Sequence, residues 1–299
     1  MNINNDSDQK HKEYLNKYYS EKSTVYESSY TGKGRYRSNF YRLSIVTKLL
    51  NEIKPRPKLI LEAGCGDARV VAEVINKGFD CLGFDFNVEM LKKGREILTN
   101  NGIGPEIIKE GDIYDIPYED TTFDTIFCLG VLPNIPNHER IFQEFSRVLR
   151  PKGRVVISLG NELFSLFSMN EHTLKFYKSI FEDIKLDQPK QKQFIDSLKE
   201  SLNLESIVSV DKIMQDSEIN KEFVTTEKYN PLNIHEKFET LGYCVEKVRF
   251  YHYHPLPPRF ENEYPELFMT FAETLESTSY DWKGAILCNA MVVQLKLLT

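Results

Sequence analysis

The alternation of short apolar runs with helical segments between Lys58 and Ser158 constrains this chain more than any other feature. Lys58-Leu-Ile-Leu61 reads as a strand leading into a glycine-bearing turn. A helix from about Arg69 then stops at Gly78, since glycine tolerates the left-handed conformation that ends helices. Asp80–Asp85 is a second strand, after which Asn87 can cap a helix carrying Met90 and Leu91. Glu106–Lys109, Phe123–Leu129 and Arg154–Ser158 supply three more strands, with a helix over roughly 137–149 before the last. Parallel strands need long crossovers, usually helical, so this rhythm predicts an α/β fold with helices on both faces of a parallel sheet.

Outside that block the chain changes character. Residues 1–57 are rich in Tyr, Lys and Ser, and the segment 41–53 places Leu43, Val46, Leu49, Leu50 and Ile53 on one helical face. Lys54-Pro-Arg-Pro57 ends that helix. Residues 161–231 hold aromatic clusters (Phe164, Phe167, Phe176, Tyr177, Phe181) within polar helical stretches and read as an insertion. The alternation resumes with a helix near 233–241, a strand from Tyr243 to about Tyr253, and a closing strand over 285–295. The expected organisation is an N-terminal helical lid over 1–57, a core formed by 58–160 and 232–299, and a helical cap over 161–231. A second insertion, 255–283, interrupts the core.

Composition narrows the partners. The net charge is -6 and no long Lys/Arg run is present, so no nucleic-acid partner is expected; Lys33, Arg35 and Arg37 read as a solvated patch. The polar start lacks the apolar stretch of a secretory signal, and no apolar run reaches membrane-spanning length, so no membrane partner is expected either. Cys65, Cys81, Cys128, Cys244 and Cys288 are scattered and never form CxxC. Buried, reduced thiols in the cytoplasm are the expectation, with neither disulfides nor a metal site.

Glu62-Ala-Gly64-Cys65-Gly66-Asp-Ala-Arg69 joins the first strand to the first helix. Glycines there let a ligand approach the backbone, and the helix N-terminus beyond offers unpaired N–H groups. Asp85 stands about 20 residues on, at the end of the next strand, where an acid can accept hydrogen bonds from ribose hydroxyls. A nucleoside-containing ligand follows. A dinucleotide would need a third Gly or Ala where Arg69 sits, which disfavours a nicotinamide-dependent oxidoreductase or epimerase.

Leu-Glu-Ala-Gly-Cys-Gly-Asp-Ala68, Gly83-Phe-Asp85-Phe-Asn87 with Met90-Leu91, Gly111-Asp112-Ile113, Phe123-Asp124 and Glu144-Phe-Ser-Arg-Val-Leu-Arg-Pro-Lys-Gly153 occur in order. In this series the chain resembles the class I S-adenosylmethionine (SAM)-dependent methyltransferases, with Ala68 replacing the last glycine of the first motif. The resemblance implies a Rossmann-like seven-stranded sheet, SAM as cofactor, and methyl transfer to a small-molecule acceptor, read as polar and sugar-like. It implies Glu62 at the cofactor's amino group, with Gly64, Cys65 and Gly66 along the methionine moiety. Asp85 is implied at the ribose hydroxyls, Phe86 on the adenine face, Asp112 at the adenine amino group and Ile113 over the ring. Leu129 and Gly130 would line the path to the sulfonium. A SAM-binding relative without turnover is the non-enzymatic alternative.

If the strand 243–253 runs parallel to the others, its carboxyl end brings His252 and His254 to the ligand rim. Two residues apart, they share one face of an extended strand. They read as acceptor contacts or a catalytic base, as two metal ligands, or as half-exposed aromatics; no acid or cysteine at metal spacing supports the second reading. Tyr26, Tyr30, Lys33, Arg35 and Tyr36, hinged at Gly32 and Gly34, are expected to fold over the cofactor.

Overall fold

The structure is a computed structural model that describes residues 13–20, 30, 37–184, 188–202, 228–261, 263–276 and 282–298. Tyr26, Gly32, Lys33, Gly34, Arg35 and Tyr36 of the expected lid, Asp281, and much of the expected cap (203–227) lie outside the described residues. The chain divides into two compact units: Met1–Gly160 with Lys221–Arg249 and Met291–Thr299, and Asn161–Asn220 with Phe250–Ala290.

The first unit contains helix α1 (13–20), α2 (Ser38–Glu52), β1 (Leu59–Ala63), α3 (Arg69–Asn76), β2 (Asp80–Asp85) and α4 (Val88–Asn100). It continues with β3 (Ile108–Glu110), β4 (Phe123–Cys128), α5 (His138–Val148), β5 (Leu149–Asn161), β6 (Lys228–Tyr229) and α9 (Ile234–Glu239). Two further strands, β7 (Tyr243–Tyr253) and β8 (Cys288–Leu297), begin or end in the second unit. The sheet has eight strands, ordered β3-β2-β1-β4-β5-β8-β7, with β6 paired to β5. The two-residue β6 is the strand beyond the seven expected; it is too short for any hydropathy pattern to register. β1 pairs in parallel with β2 and β4, β2 with β3, and β4 with β5. The chain therefore runs outward from β1 to β3 and returns to the other side of β1 at β4. At that reversal the carboxyl ends of β1 and β4 part and leave a crevice.

The central strands are apolar throughout because both sheet faces are covered: Ile60, Leu61, Ile126, Phe127, Val155, Val156 and Ile157 are fully buried. On α2 the buried face is Arg42, Ile45, Val46, Leu49 and Leu50. Arg42 thus occupies the face on which apolar periodicity places Leu43. The closing strand starts later than expected, because Lys283–Leu287 forms a short helix before β8. Ala68, at the start of α3, holds φ +57°, the left-handed region where an Ala costs about 1 kcal/mol more than glycine.

Two polar clusters fix the loops between strands. Asp124 accepts from the backbone N–H of Lys58 and Leu59 at 2.9 Å and from Arg150 at 3.1 Å. Burial pushes its carboxyl up, but the Leu59 N–H and Arg150 together hold it below its usual value. Arg147 donates to Glu144, Asp120 and the carbonyls of Ile116 and Tyr118, while Glu144 accepts from the Ile116 N–H at 2.8 Å. The loop between β3 and β4 is thereby clamped to α5.

The second unit holds α6 (Phe164–Ser168), α7 (Glu171–Ile184), α8 (Gln188–Ser201), α10 (Pro265–Glu276) and α11 (Lys283–Leu287). Asn161 fastens its start to its end, donating to the carbonyls of Ala285 and Cys288 at 2.8 Å. Cys65, Cys81, Cys128 and Cys288 are buried free thiols, and Cys244 is half-buried. Among the described residues no helix is long and apolar enough to cross a membrane.

Arg147→Ala removes hydrogen bonds to one carboxylate pair and two carbonyls, and is expected to cost about 1–3 kcal/mol. Urea unfolding measures the loss, and hydrogen exchange should accelerate first in residues 111–122.

Candidate functional site

At the carboxyl ends of β1 to β4 the first unit encloses a cavity of about 280 Å³. Its walls include Gly64 and Gly66 after β1, Asp85 and Phe86 after β2, Asp112 and Ile113 after β3, and Leu129 and Gly130 after β4. Eight of the ten residues predicted for cofactor binding thus converge on one space. Asp85 is the best anchored: Oδ2 accepts from the Gly66 N–H and Oδ1 from the Asn87 N–H, both at 2.8 Å. Burial raises its carboxyl above the usual value, opposed by those backbone donors. Gly64 holds φ +77°, and a β-carbon there would lie 2.5 Å from Val131 Cγ2. The turn therefore requires glycine on two counts. Asp112 accepts from the Tyr114 N–H at 3.0 Å, which curls the segment after β3 back on itself.

Glu62 and Cys65 do not line the cavity. Cys65 is buried against Gly83, where a β-carbon would come within 2.9 Å of its own. Glu62 is only 2% exposed, and its Oε2 has no hydrogen-bond partner. Burial pushes its carboxyl well up, with Arg42 pulling the other way.

Several contributors escaped the sequence reading. Arg42, from α2, lines the cavity beside Gly130, where a β-carbon would lie 2.8 Å from its NH1. Asn39 accompanies it. Leu15 and Tyr19 come from α1. Tyr30 meets the Arg69 guanidinium, 5.7 Å from its ring centroid, and Arg37 lies over Phe40. Asn134 donates to the Tyr19 hydroxyl at 3.1 Å and to the Gly130 carbonyl at 2.9 Å. Asn87 both caps α4, accepting from the Met90 N–H at 2.8 Å, and donates to the Asn16 carbonyl of α1 at 3.0 Å. His138 steadies the loop after β4, its Nε2 donating to the carbonyls of Leu132 and Ile135 at 2.8 Å while Nδ1 meets the Tyr229 hydroxyl.

Residues 61–157 match the methyltransferase domain family. The chain carries a class I SAM-dependent methyltransferase domain. SAM is the cofactor of that domain. A demethylmenaquinone methyltransferase of Lactobacillus johnsonii is 29% identical over 167 residues, covering 51% of this chain and 68% of that protein. Sterol 4-C-methyltransferase strm-1 of Caenorhabditis elegans is 28% identical over 157 residues, covering 49% of this chain and 47% of that protein. The chain spans about half the length of most of the curated relatives it matches. A chain of the solved complex containing the Haloferax volcanii Trm112 methyltransferase activator shares the fold at TM-score 0.51 and 11% identity, covering 90% of this chain and 93% of that one.

His252 and His254 belong to the second unit, apart from the methyltransferase domain's cavity-lining set. They face one another, ring centroids 4.6 Å apart, but not from a regular strand: His252 holds φ +63°. The half-exposed reading fails for His254, which is buried against Phe164 and Phe268. Its Nδ1 pairs with Glu261, and its Nε2 is buried with no partner. Glu276 accepts from the backbone N–H of His252 and Tyr253. Among the described residues no group of three or more His, Cys, Asp or Glu could hold a metal ion. Burial lowers both histidines to about 3, and it raises Glu261 to about 7.

Gly64→Ala should lower stability by about 1–3 kcal/mol through backbone strain and abolish measurable SAM binding by calorimetry. The buried histidines predict a second outcome. Below their unfolded value of 6.5 the unfolded chain takes up two protons that the folded chain refuses until about pH 3, so they cost stability as pH falls through that window. Glu261 acts oppositely, its contribution being lost as pH rises from 4.5 to about 7. Removing one of the two histidines removes part of that acid penalty, so thermal melts of His254→Gln should fall less on acidification from about pH 6.5 than those of the wild type.

Proposed function

We propose that the chain transfers a methyl group from SAM to a small-molecule acceptor by direct displacement at the sulfonium. The observation that carries this reading is the Asp85 carboxylate, fixed by two backbone donors on the wall of a cavity that also holds the Gly64–Gly66 turn and Asp112. When bound, SAM supplies a methyl group made electrophilic by the positive sulfur that carries it.

The residues present fit that cofactor. Asp85 is assigned to accept from both ribose hydroxyls, its backbone anchors leaving further lone pairs free. Phe86 and Ile113 supply apolar faces for the adenine, and Asp112 an acceptor for its amino group. Gly64 and Gly66 keep side chains away from the methionine moiety. Arg42 suits a carboxylate, and Glu62, buried with an oxygen unused, supplies the negative field that an ammonium group requires. Leu129 and Gly130 border the methyl-bearing end. Much of the rate then comes from holding the acceptor in line, which needs no covalent step by the protein.

His252 and His254 are assigned to the acceptor. A ring held neutral down to about pH 3 is a weak base, so a hydrogen bond from or to His254 Nε2 fits better than proton removal. The relatives described above do not support the sugar-like acceptor expected from the sequence; they are named for demethylmenaquinone and sterol. Apolar ring compounds of those two kinds therefore head the acceptor panel.

Titration calorimetry should show SAM and S-adenosylhomocysteine binding while NAD and NADP do not. Asp85→Ala should weaken SAM at least about tenfold, as expected when a charged hydrogen-bond acceptor is lost. NAD binding with no SAM binding would overturn the reading. Unchanged turnover in both His252→Ala and His254→Ala would remove the histidines from it.

A further inference from the structure

The first unit has a second cavity, also about 280 Å³, which the cofactor does not explain. Asp124 and Thr125 open β4, Arg154 pairs in register with Thr125 on β5, and residues 53–57 precede β1. The cavity therefore sits at the amino-terminal edge of the parallel strands, whereas the cofactor cavity sits at their carboxyl ends.

Its charge is one-sided. Lys54, Arg56, Arg150, Lys152, Arg154 and Lys296 line it, against a single acid, Asp124. Two of the cations are already matched: Arg150 by Asp124 at 3.1 Å, and Arg154 by Glu246 at 2.8 Å. Arg56 lies over the Phe79 ring at 3.9 Å and donates to the Gly78 carbonyl. Among the described residues Lys54, Lys152 and Lys296 have no ion pair, although Lys296 also feels the field of Glu246. Three ammonium groups without an ion pair around one hollow, in a chain of net charge -6, are a local reversal of the protein's field.

The hollow is also stiff. Pro55, Pro57 and Pro151 fix the backbone at its rim. Asp124 ties the strand starts together through Lys58 and Leu59. A rim ordered in advance loses little entropy when an anion enters.

We propose that this cleft binds the phosphate groups of a small phosphorylated metabolite. Lys54, Lys152 and Lys296 supply the charge, and the remaining N–H groups of Arg150 and Arg154 supply directional hydrogen bonds. Two features favour a small molecule over a nucleic-acid backbone. The cations surround a hollow just below the size of ordinary ligand pockets, and they do not extend as a stripe along a face. This inference does not depend on the methyl-transfer reading.

The test uses the full chain and calorimetric titration with pyrophosphate and with ATP at fixed ionic strength. Lys54→Gln/Lys152→Gln/Lys296→Gln forms the site variant, and Lys92→Gln/Lys93→Gln on α4 is the charge control. Saturable binding that weakens at least about tenfold in the site variant and not in the control supports the proposal; about tenfold is the loss of one charged contact. Melting of both variants without ligand confirms that they fold. Absence of saturable binding, or equal binding in wild type and site variant, overturns it. So does a single-stranded oligonucleotide that binds through the same lysines more tightly than pyrophosphate does.

Discussion

One carboxylate organises the methyltransferase domain. Asp85 ends β2, receives the Gly66 N–H from the turn after β1, and receives the Asn87 N–H from the residue that caps α4. Asn87 in turn holds the carbonyl of Asn16 and the hydroxyl of Ser20 on α1. Three separate pieces of chain take their positions from this pair of residues: the glycine turn, the start of α4 and the N-terminal helix. A group that reads as a ligand acceptor is thus also a structural knot. Its substitution would disturb the walls along with the binding group, which is why the calorimetric readout matters more than turnover alone.

How much of this was legible follows from the kind of signal each residue carries. The parallel sheet and its strand-end residues were readable because buried strands, glycine turns and an acid at fixed spacing all leave local marks. Gly64, Gly66 and Asp85 were found that way, whereas Asp112 and Gly130 came from the family resemblance. Arg42 was not, because a cation inside an apolar helical face reads as solvent-facing until the burial of that face beside Gly130 is known. Leu15 and Tyr19 lie in a polar segment with no motif, and only the tertiary contact of α1 with Asn87 brings them to the cavity. Lys283–Leu287 has the composition of a strand and adopts a helical turn instead, its end fixed by the distant Asn161. Short apolar runs carry too little periodicity to separate the two states.

The histidine pair shows a different limit. Spacing alone put His252 and His254 on one side, and they do face each other. What spacing could not supply was burial, the left-handed turn at His252, or Glu261 closing on His254. Those features change the chemistry available to the rings from proton transfer to hydrogen bonding.

Glu62 carries a consequence for how binding is measured. Its carboxyl is buried, raised, and left with one oxygen unused beside a guanidinium. Burial therefore shifts that group toward its protonated form. Any cation seated near it favours the anion and expels the proton into the buffer. The observed heat of binding will then contain the ionisation heat of whatever buffer receives that proton. Affinity will rise with pH over the range in which Glu62 still holds its proton. Proton release that scales across buffers would thus report on a residue that never touches solvent.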